Sequence, residues 1–297
     1  MKLNLRDFKI MRKNDNKLTW VTCYDYSFAS ALNETEIDLI LVGDSGGMVA
    51  LGYIDTVPVS MNEMILMCAA VRRGAPDKFI VGDMPKGSYE VSNEFAVENA
   101  MRFVKESGVD AVKLEGGQNL VDRVKAIVSS GIAVIGHIGL TPQSSTSLGG
   151  YRVVGRSKKE FEILCQDALS LELAGAFSIL LEAIPPNSAK KITEICNIPI
   201  FGIGAGLHVN GQLLILHDLL GLYPKFRPKF AKNFIPEVIV EFQKFLSVQD
   251  NLLEFGRSTR RDGLFELTKF AVNRFVDEVR NGKFPSTNYV YPDQQNL

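Results

Sequence analysis

Four cysteines in 297 residues, Cys23, Cys68, Cys165 and Cys196, lie far apart with no C-x-x-C pair. That spacing excludes a disulfide framework and a cysteine-built zinc site, and reads as reduced thiols of a cytosolic protein, mostly in the core. Net charge is also in short supply: 33 Lys and Arg against 34 Asp and Glu give a formal net charge of -1. Nothing in that balance suggests nucleic acid or an anionic membrane as a partner. No apolar run reaches the ~20 residues that span a bilayer. The stretch Met1 to Asp15 is polar and mixed in charge, without the apolar core of a secretory signal, so the expectation is a soluble, cytoplasmic protein. No G-x-G-x-x-G follows the first strand candidate, which removes the best signature of a dinucleotide-binding fold. Low-complexity segments are missing too.

What is present is an ordinary globular composition, 46% hydrophobic and 23% charged, with strand-length apolar runs that end abruptly in polar residues. The run Ile37 to Val42 breaks into Gly43-Asp44-Ser45-Gly46-Gly47. Leu18 to Cys23 ends at Tyr24-Asp25-Tyr26, Phe79 to Gly82 at Asp83, and Val109 to Val112 at Lys113-Leu114-Glu115. Ile132 to Gly136 ends at His137, Phe177 to Leu181 at Glu182, Ile198 to Phe201 at a Gly-Ile-Gly-Ala-Gly run, and Leu213 to Leu216 at His217-Asp218. Helical spacing appears over Phe28 to Glu36, Val59 to Arg72, Glu94 to Ser107, Leu120 to Ser130 and Lys159 to Leu173. Alternation of this kind predicts a parallel sheet. Eight units in about 200 residues predict a (β/α)8 TIM barrel rather than an open sheet. The expected organisation is one domain over 1–297, with a barrel core at about 18–223 and a helical tail at about 224–297. The tail predicts two amphipathic helices, Pro236 to Val248 and Leu264 to Arg280. A charged linker holding Arg257, Arg260, Arg261 and Asp262 joins them and reads as a solvated face.

Working residues in such a barrel collect at the carboxyl ends of the strands. Five consecutive ends carry Asp44, Asp83, Lys113 with Glu115, His137 and Glu182. Each alone has an ordinary explanation: a turn or helix cap for Asp44, an ion pair between Lys113 and Glu115, a core histidine for His137. Together they put four carboxylates into one mouth, which is costly unless a cation offsets them. Oxygen donors without thiolates suit Mg2+ or a similar hard ion. Two or three carboxylates plus a chelating 2-oxo acid would complete its coordination and stabilise an enolate. Lys113 could then pair with a carboxylate or oxyanion, and Glu182 could serve as base. His208 and His217 read as structural or exposed.

Several longer stretches, in order, resemble the ketopantoate hydroxymethyltransferase family of the phosphoenolpyruvate/pyruvate barrel superfamily. They are Thr22 to Tyr26, Val42 to Ser45, Asp83-Met84-Pro85, Val112 to Gly117, Gly136 to Gln143, Leu181-Glu182, Gly202 to Gly206 and Gly211-Gln212. The resemblance implies transfer of a one-carbon unit from 5,10-methylenetetrahydrofolate to 3-methyl-2-oxobutanoate, giving 2-dehydropantoate, in pantothenate biosynthesis. It also implies Mg2+ held by Asp44, Asp83 and Glu115, with the 2-oxo acid held by Asp44, Ser45, Asp83 and Lys113 near His137. Glu182 matches the family's proton acceptor, and the implied assembly is a homodecamer, a pentamer of dimers. Gly46 stands where the family usually has a larger aliphatic residue, Lys86 where an aromatic is common, and Cys68 where histidine is frequent; Leu207 to Asn210 also differs. These bear on the acceptor pocket, the folate contacts and the assembly, not on enolate chemistry. The alternatives are another 2-oxo acid lyase or mutase of the same superfamily and a non-catalytic keto-acid-binding paralogue. The lyases often carry a Lys-Cys-Gly-His-like loop, which this sequence does not contain.

Overall fold

The computed structural model describes residues 2–145, 149–254 and 263–293, with no side chains described over 249–254. Among the described residues, eight strands close into one parallel barrel in sequence order. They are β1 (Leu18–Thr22), β2 (Leu39–Val42), β3 (Phe79–Asp83), β4 (Ala111–Glu115), β5 (Ala133–Gly139), β6 (Ser178–Glu182), β7 (Ile200–Ile203) and β8 (Gly211–Leu214). Every residue of β1 to β4, β7 and β8 is buried, as a parallel sheet covered by helices requires. The ring closes where β8 pairs with β1, Leu18 opposite Gly211 and Val21 opposite Leu214. A Cβ on Gly211 would lie 2.6 Å from the Leu18 carbonyl and 2.7 Å from the Phe201 ring, so the closure needs glycine there.

The strand boundaries differ from the sequence reading at instructive places. β4 and β5 extend through Lys113, Glu115 and His137 instead of ending before them. Alternation explains this: Lys113 and Glu115 share one face while Val112 and Leu114 take the other, so charged residues sit inside a regular strand. β8 begins two residues earlier than its apolar run, at Gly211-Gln212, and the chain turns at Ile215, where Leu216 N donates to Thr22 Oγ1 at 3.1 Å. His217 and Asp218 consequently fall in the short helix Leu216–Leu219. Between β7 and β8 there is a loop and no helix, and Pro186–Ile195 forms a helix that the apolar spacing did not announce. The predicted helix to Ser107 ends in a π turn over Phe103–Ser107.

The polar leader also folds. Leu5–Lys13 is a helix with a capping box between Asn4 and Asp7. Its one fully buried residue, Phe8, meets the rings of Phe79 at 5.0 Å and Phe177 at 5.3 Å, closing the amino-terminal end of the barrel. Arg12 from the same helix reaches Asn210 Oδ1 and the carbonyls of Thr193 and Cys196. In the tail, helices Ile235–Glu254 and Leu264–Arg280 pack on each other, and the second lies against helix Tyr26–Asn33 and β1. Arg280 fastens it to Glu36 O and Asp38. The linker residues Arg257, Arg260, Arg261 and Asp262 lie outside the described residues. No helix among those described is long and apolar enough to cross a membrane.

Candidate active site

Register assembles the site. Asp83 is paired with Lys113 across β3 and β4, Glu115 with His137 across β4 and β5, and Gly139 with Glu182 across β5 and β6. Asp44, two residues past the end of β2, joins them through its backbone N–H, which donates to Asp83 Oδ2 at 3.1 Å. One ligand atom from each of Asp44, Asp83 and Glu115 falls within 4.8 Å of the others, and all three residues are buried. Lys113 Nζ lies 2.8 Å from Asp83 Oδ1 and 3.4 Å from Glu115 Oε1. His137 faces Lys113 and Glu115 with Nδ1, at 3.2 and 3.4 Å, and Glu182 Oε2 with Nε2, at 3.2 Å. Glu182 is the more open end of this chain of contacts, its side chain 15% exposed against 2% for Lys113 and His137.

The charges inside this enclosure are poorly balanced. Burial, reinforced by the charges of Asp83 and Glu115, pushes Asp44 well above the usual carboxylate range. Burial pushes Asp83 upward too, with Lys113 opposing it. Burial works against Glu115 as well, but Lys113 and His137 outweigh it and bring it down to about 2. Burial and the Lys113 ammonium oppose charge on His137, yet Glu115 and Glu182 leave it raised. Three buried oxygen donors on converging strand ends, with more negative charge than one lysine offsets, form a seat that fits a hard divalent cation.

A family model described as Ketopantoate hydroxymethyltransferase matches residues 2–244. The chain belongs to the ketopantoate hydroxymethyltransferase family. Among its relatives, a 3-methyl-2-oxobutanoate hydroxymethyltransferase of Heliobacterium modesticaldum is 52% identical over 78% of this chain and 84% of its own length. The enzyme of the same name from Ignicoccus hospitalis is 46% identical over 98% of this chain and 99% of its own. This membership makes the chain an enzyme of the transferase class. Solved structures extend the likeness of fold. A 2,3-dimethylmalate lyase of the PEP mutase/isocitrate lyase superfamily superposes with TM-score 0.55 at 15% identity, over 93% of this chain and 97% of that one. A phosphoenolpyruvate phosphomutase from Streptomyces platensis does so with TM-score 0.56 at 11% identity, over 95% and 98%. At these identities the likeness bears on the barrel alone.

Within the family frame, the structure brings Asp44, Asp83, Lys113, Glu115, His137 and Glu182 together. Ser45 borders them, its Oγ 2.9 Å from the Tyr24 hydroxyl, which donates to Thr22 Oγ1 at 2.7 Å. Other candidates lie elsewhere. Asp25 caps the helix Tyr26–Asn33 by accepting from Phe28 N. His217 packs 5.5 Å from the Tyr24 ring, and His208 borders a groove with Arg12, Lys13 and Lys17. Among the departures, Gly46 has no room for a side chain, since a Cβ would lie 2.6 Å from the Tyr24 ring. Lys86 pairs with Glu90 at 3.0 Å, and Cys68 is buried, its thiol pushed up by burial and then by Asp83.

Two contributors carried no role in the sequence reading. Gln143 and Tyr89 are both buried and both bond within the cluster. Pro142 opens the turn that carries Gln143, but no local pattern says that the side chain after it returns across the barrel mouth. The residue after Glu182 is also unusual: Ala183 has φ +49°, the left-handed region that a side chain disfavours. Its N–H donates to Ile203 O at 3.0 Å, and its carbonyl accepts from Val154 N at 3.1 Å. These bonds hold the turn immediately beyond the carboxylate.

Proposed function

We propose that this enzyme transfers a hydroxymethyl group from 5,10-methylenetetrahydrofolate to 3-methyl-2-oxobutanoate, giving 2-dehydropantoate and tetrahydrofolate in pantothenate biosynthesis. The observation that carries the reading is the arrangement of Glu182 across His137 from the Asp44, Asp83 and Glu115 cluster. It sets a carboxylate base beside a seat for a chelating acid. Asp44, Asp83 and Glu115 would hold Mg2+, which when bound supplies a Lewis acid for the 2-oxo group.

The protein's own groups do the rest. Lys113, fixed by Asp83, places an ammonium where an anionic acceptor needs a counter-charge. Ser45, oriented by Tyr24, offers a hydroxyl at the edge of the same seat. Glu182 takes the proton from C3 of the acid, with His137 Nε2 3.2 Å from that carboxylate. The resulting carbon nucleophile bonds to the one-carbon unit of the folate, tetrahydrofolate departs, and water supplies the hydroxyl oxygen. Burial of every group except Glu182 and Ser45 keeps bulk water from the enolate side.

The same reading carries a cytoplasmic location and a homodecamer built as a pentamer of dimers. Exposed apolar residues such as Ile54, Leu66 and Leu173 are the kind of surface that subunit contacts cover. Incubating the purified protein with Mg2+, 3-methyl-2-oxobutanoate and methylenetetrahydrofolate should yield 2-dehydropantoate. Failure to form it, with turnover of a C4 dicarboxylate or isocitrate-like acid in its absence, would assign the site to a lyase. Light scattering on the same sample reads the assembly.

A further inference from the structure

We propose that Gln143, keyed by Tyr89, is a positioning residue that presets the Asp44 and Glu115 carboxylates for a divalent cation; this rests on reading the cluster as a cation seat. Gln143 lies in the short turn Pro142–Ser144 beyond β5 and is buried. From there it ties together the ends of three other strands. Its Nε2 donates to Asp44 Oδ2 and to the Met84 carbonyl, both at 2.9 Å. Its backbone N–H donates to Glu115 Oε2 at 3.0 Å, and its Oε1 accepts from the Tyr89 hydroxyl at 2.5 Å. Tyr89, equally buried, has its hydroxyl 3.4 Å from the Glu115 carbonyl as well.

The chemistry of these partners fixes the amide. The Met84 carbonyl can only accept, so the NH2 group must face it and Asp44, and the oxygen must face Tyr89. Every polar group of the side chain is then used. The consequence for the carboxylates is specific. Asp44 Oδ2 and Glu115 Oε2 are taken by Gln143, whereas Glu115 Oε1 faces Lys113 and His137. A carboxylate pinned through one oxygen loses its freedom to rotate, so less ordering remains to be done when a cation arrives. An arginine or lysine here would pin the carboxylates equally well and also neutralise them, competing with the cation. A neutral amide orients the charge and leaves it available.

The test is calorimetric titration of the full chain with Mn2+ or Mg2+, without substrates, for wild type, Gln143→Met and Tyr89→Phe. Methionine keeps the volume and removes the amide, while the backbone donor to Glu115 stays. Gln143→Met should bind the cation about 10–100-fold more weakly. Tyr89→Phe, which frees the amide oxygen, should shift affinity the same way by less. Thermal midpoints of the chelated proteins are measured alongside. Wild-type affinity in Gln143→Met, even with a lowered midpoint, would make the residue merely structural and overturn the proposal. Should Gln143→Met not fold, unchanged affinity in Tyr89→Phe would overturn it alone. A wild type that binds neither cation would overturn the cation seat itself and this inference with it.

Discussion

Strand β3 begins at Phe79, in the aromatic trio with Phe8 and Phe177, and ends at Asp83, against Lys113. The two residues are only about 13 Å apart along the strand, yet their surroundings obey opposite rules. At the floor, three rings meet edge to face, and burial of their apolar surface is favourable. At the mouth, burial opposes nearly every side chain, and stability depends on partners offsetting one another. The comparison separates the two tasks of the barrel: the floor closes the core, and the mouth holds a charge imbalance that an incoming cation and anionic substrate can use.

The contrast can be broken at either end. Lys113→Met removes the ammonium held among the buried carboxylates and should cost about 3–5 kcal/mol in metal-free protein. Urea unfolding checks this, and Mg2+ should restore part of the loss. Phe8→Ala should cost a similar ~3–5 kcal/mol, and Mg2+ should leave that difference from wild type unchanged, because it stabilises both folded states alike. Among the molecules that remain folded, KM for the keto acid should be unchanged. Equal rescue of both variants by Mg2+ would erase the distinction between floor and mouth.

Acidity gives a finer test. Asp44 and Asp83 have their pKa values raised in the folded protein, so the folded state keeps protons that the unfolded chain releases. The cost is absent in acid and grows as pH rises from the ordinary carboxylate range through the raised values. Glu115, lowered to about 2, acts in the opposite sense: its stabilisation is present above the ordinary range and is lost as pH falls toward 2. Chelated protein should therefore lose thermal stability as pH rises above the ordinary carboxylate range, and Mg2+ should flatten that slope. Asp44→Asn should flatten it without metal. The smallest effect belongs to the surface. Arg274→Ala breaks an exposed pair with Glu241 and should change stability by about 0–1 kcal/mol at any pH.

The mouth was more legible in the sequence than the floor, for a physical reason. An apolar run that stops at a carboxylate or histidine is a sharp local contrast, and it marked Asp44, Asp83, Lys113, Glu115, His137 and Glu182 directly. Phe8 gave no such contrast, because the stripe Leu5, Phe8 and Met11 of its nine-residue helix is short and set among charged residues. The inward alternation of Lys113 and Glu115 looked like the end of β4, since charge inside a strand is uncommon away from a site. Gln143 and Tyr89 were illegible because their roles depend on where two loops return in space, which no spacing encodes. Gly211 was passed over as a strand opening because its value lies in the side chain it omits.

Deuterium exchange at C3 of 3-methyl-2-oxobutanoate, followed by NMR with Mg2+, isolates the proton transfer assigned to Glu182. Wild type should exchange the proton, with or without tetrahydrofolate present to complete the site. Glu182→Gln should slow exchange by about 10²–10⁴-fold while keeping its fold and its Mg2+ affinity. Exchange at the wild-type rate in Glu182→Gln would contradict the assignment of that carboxylate as the base.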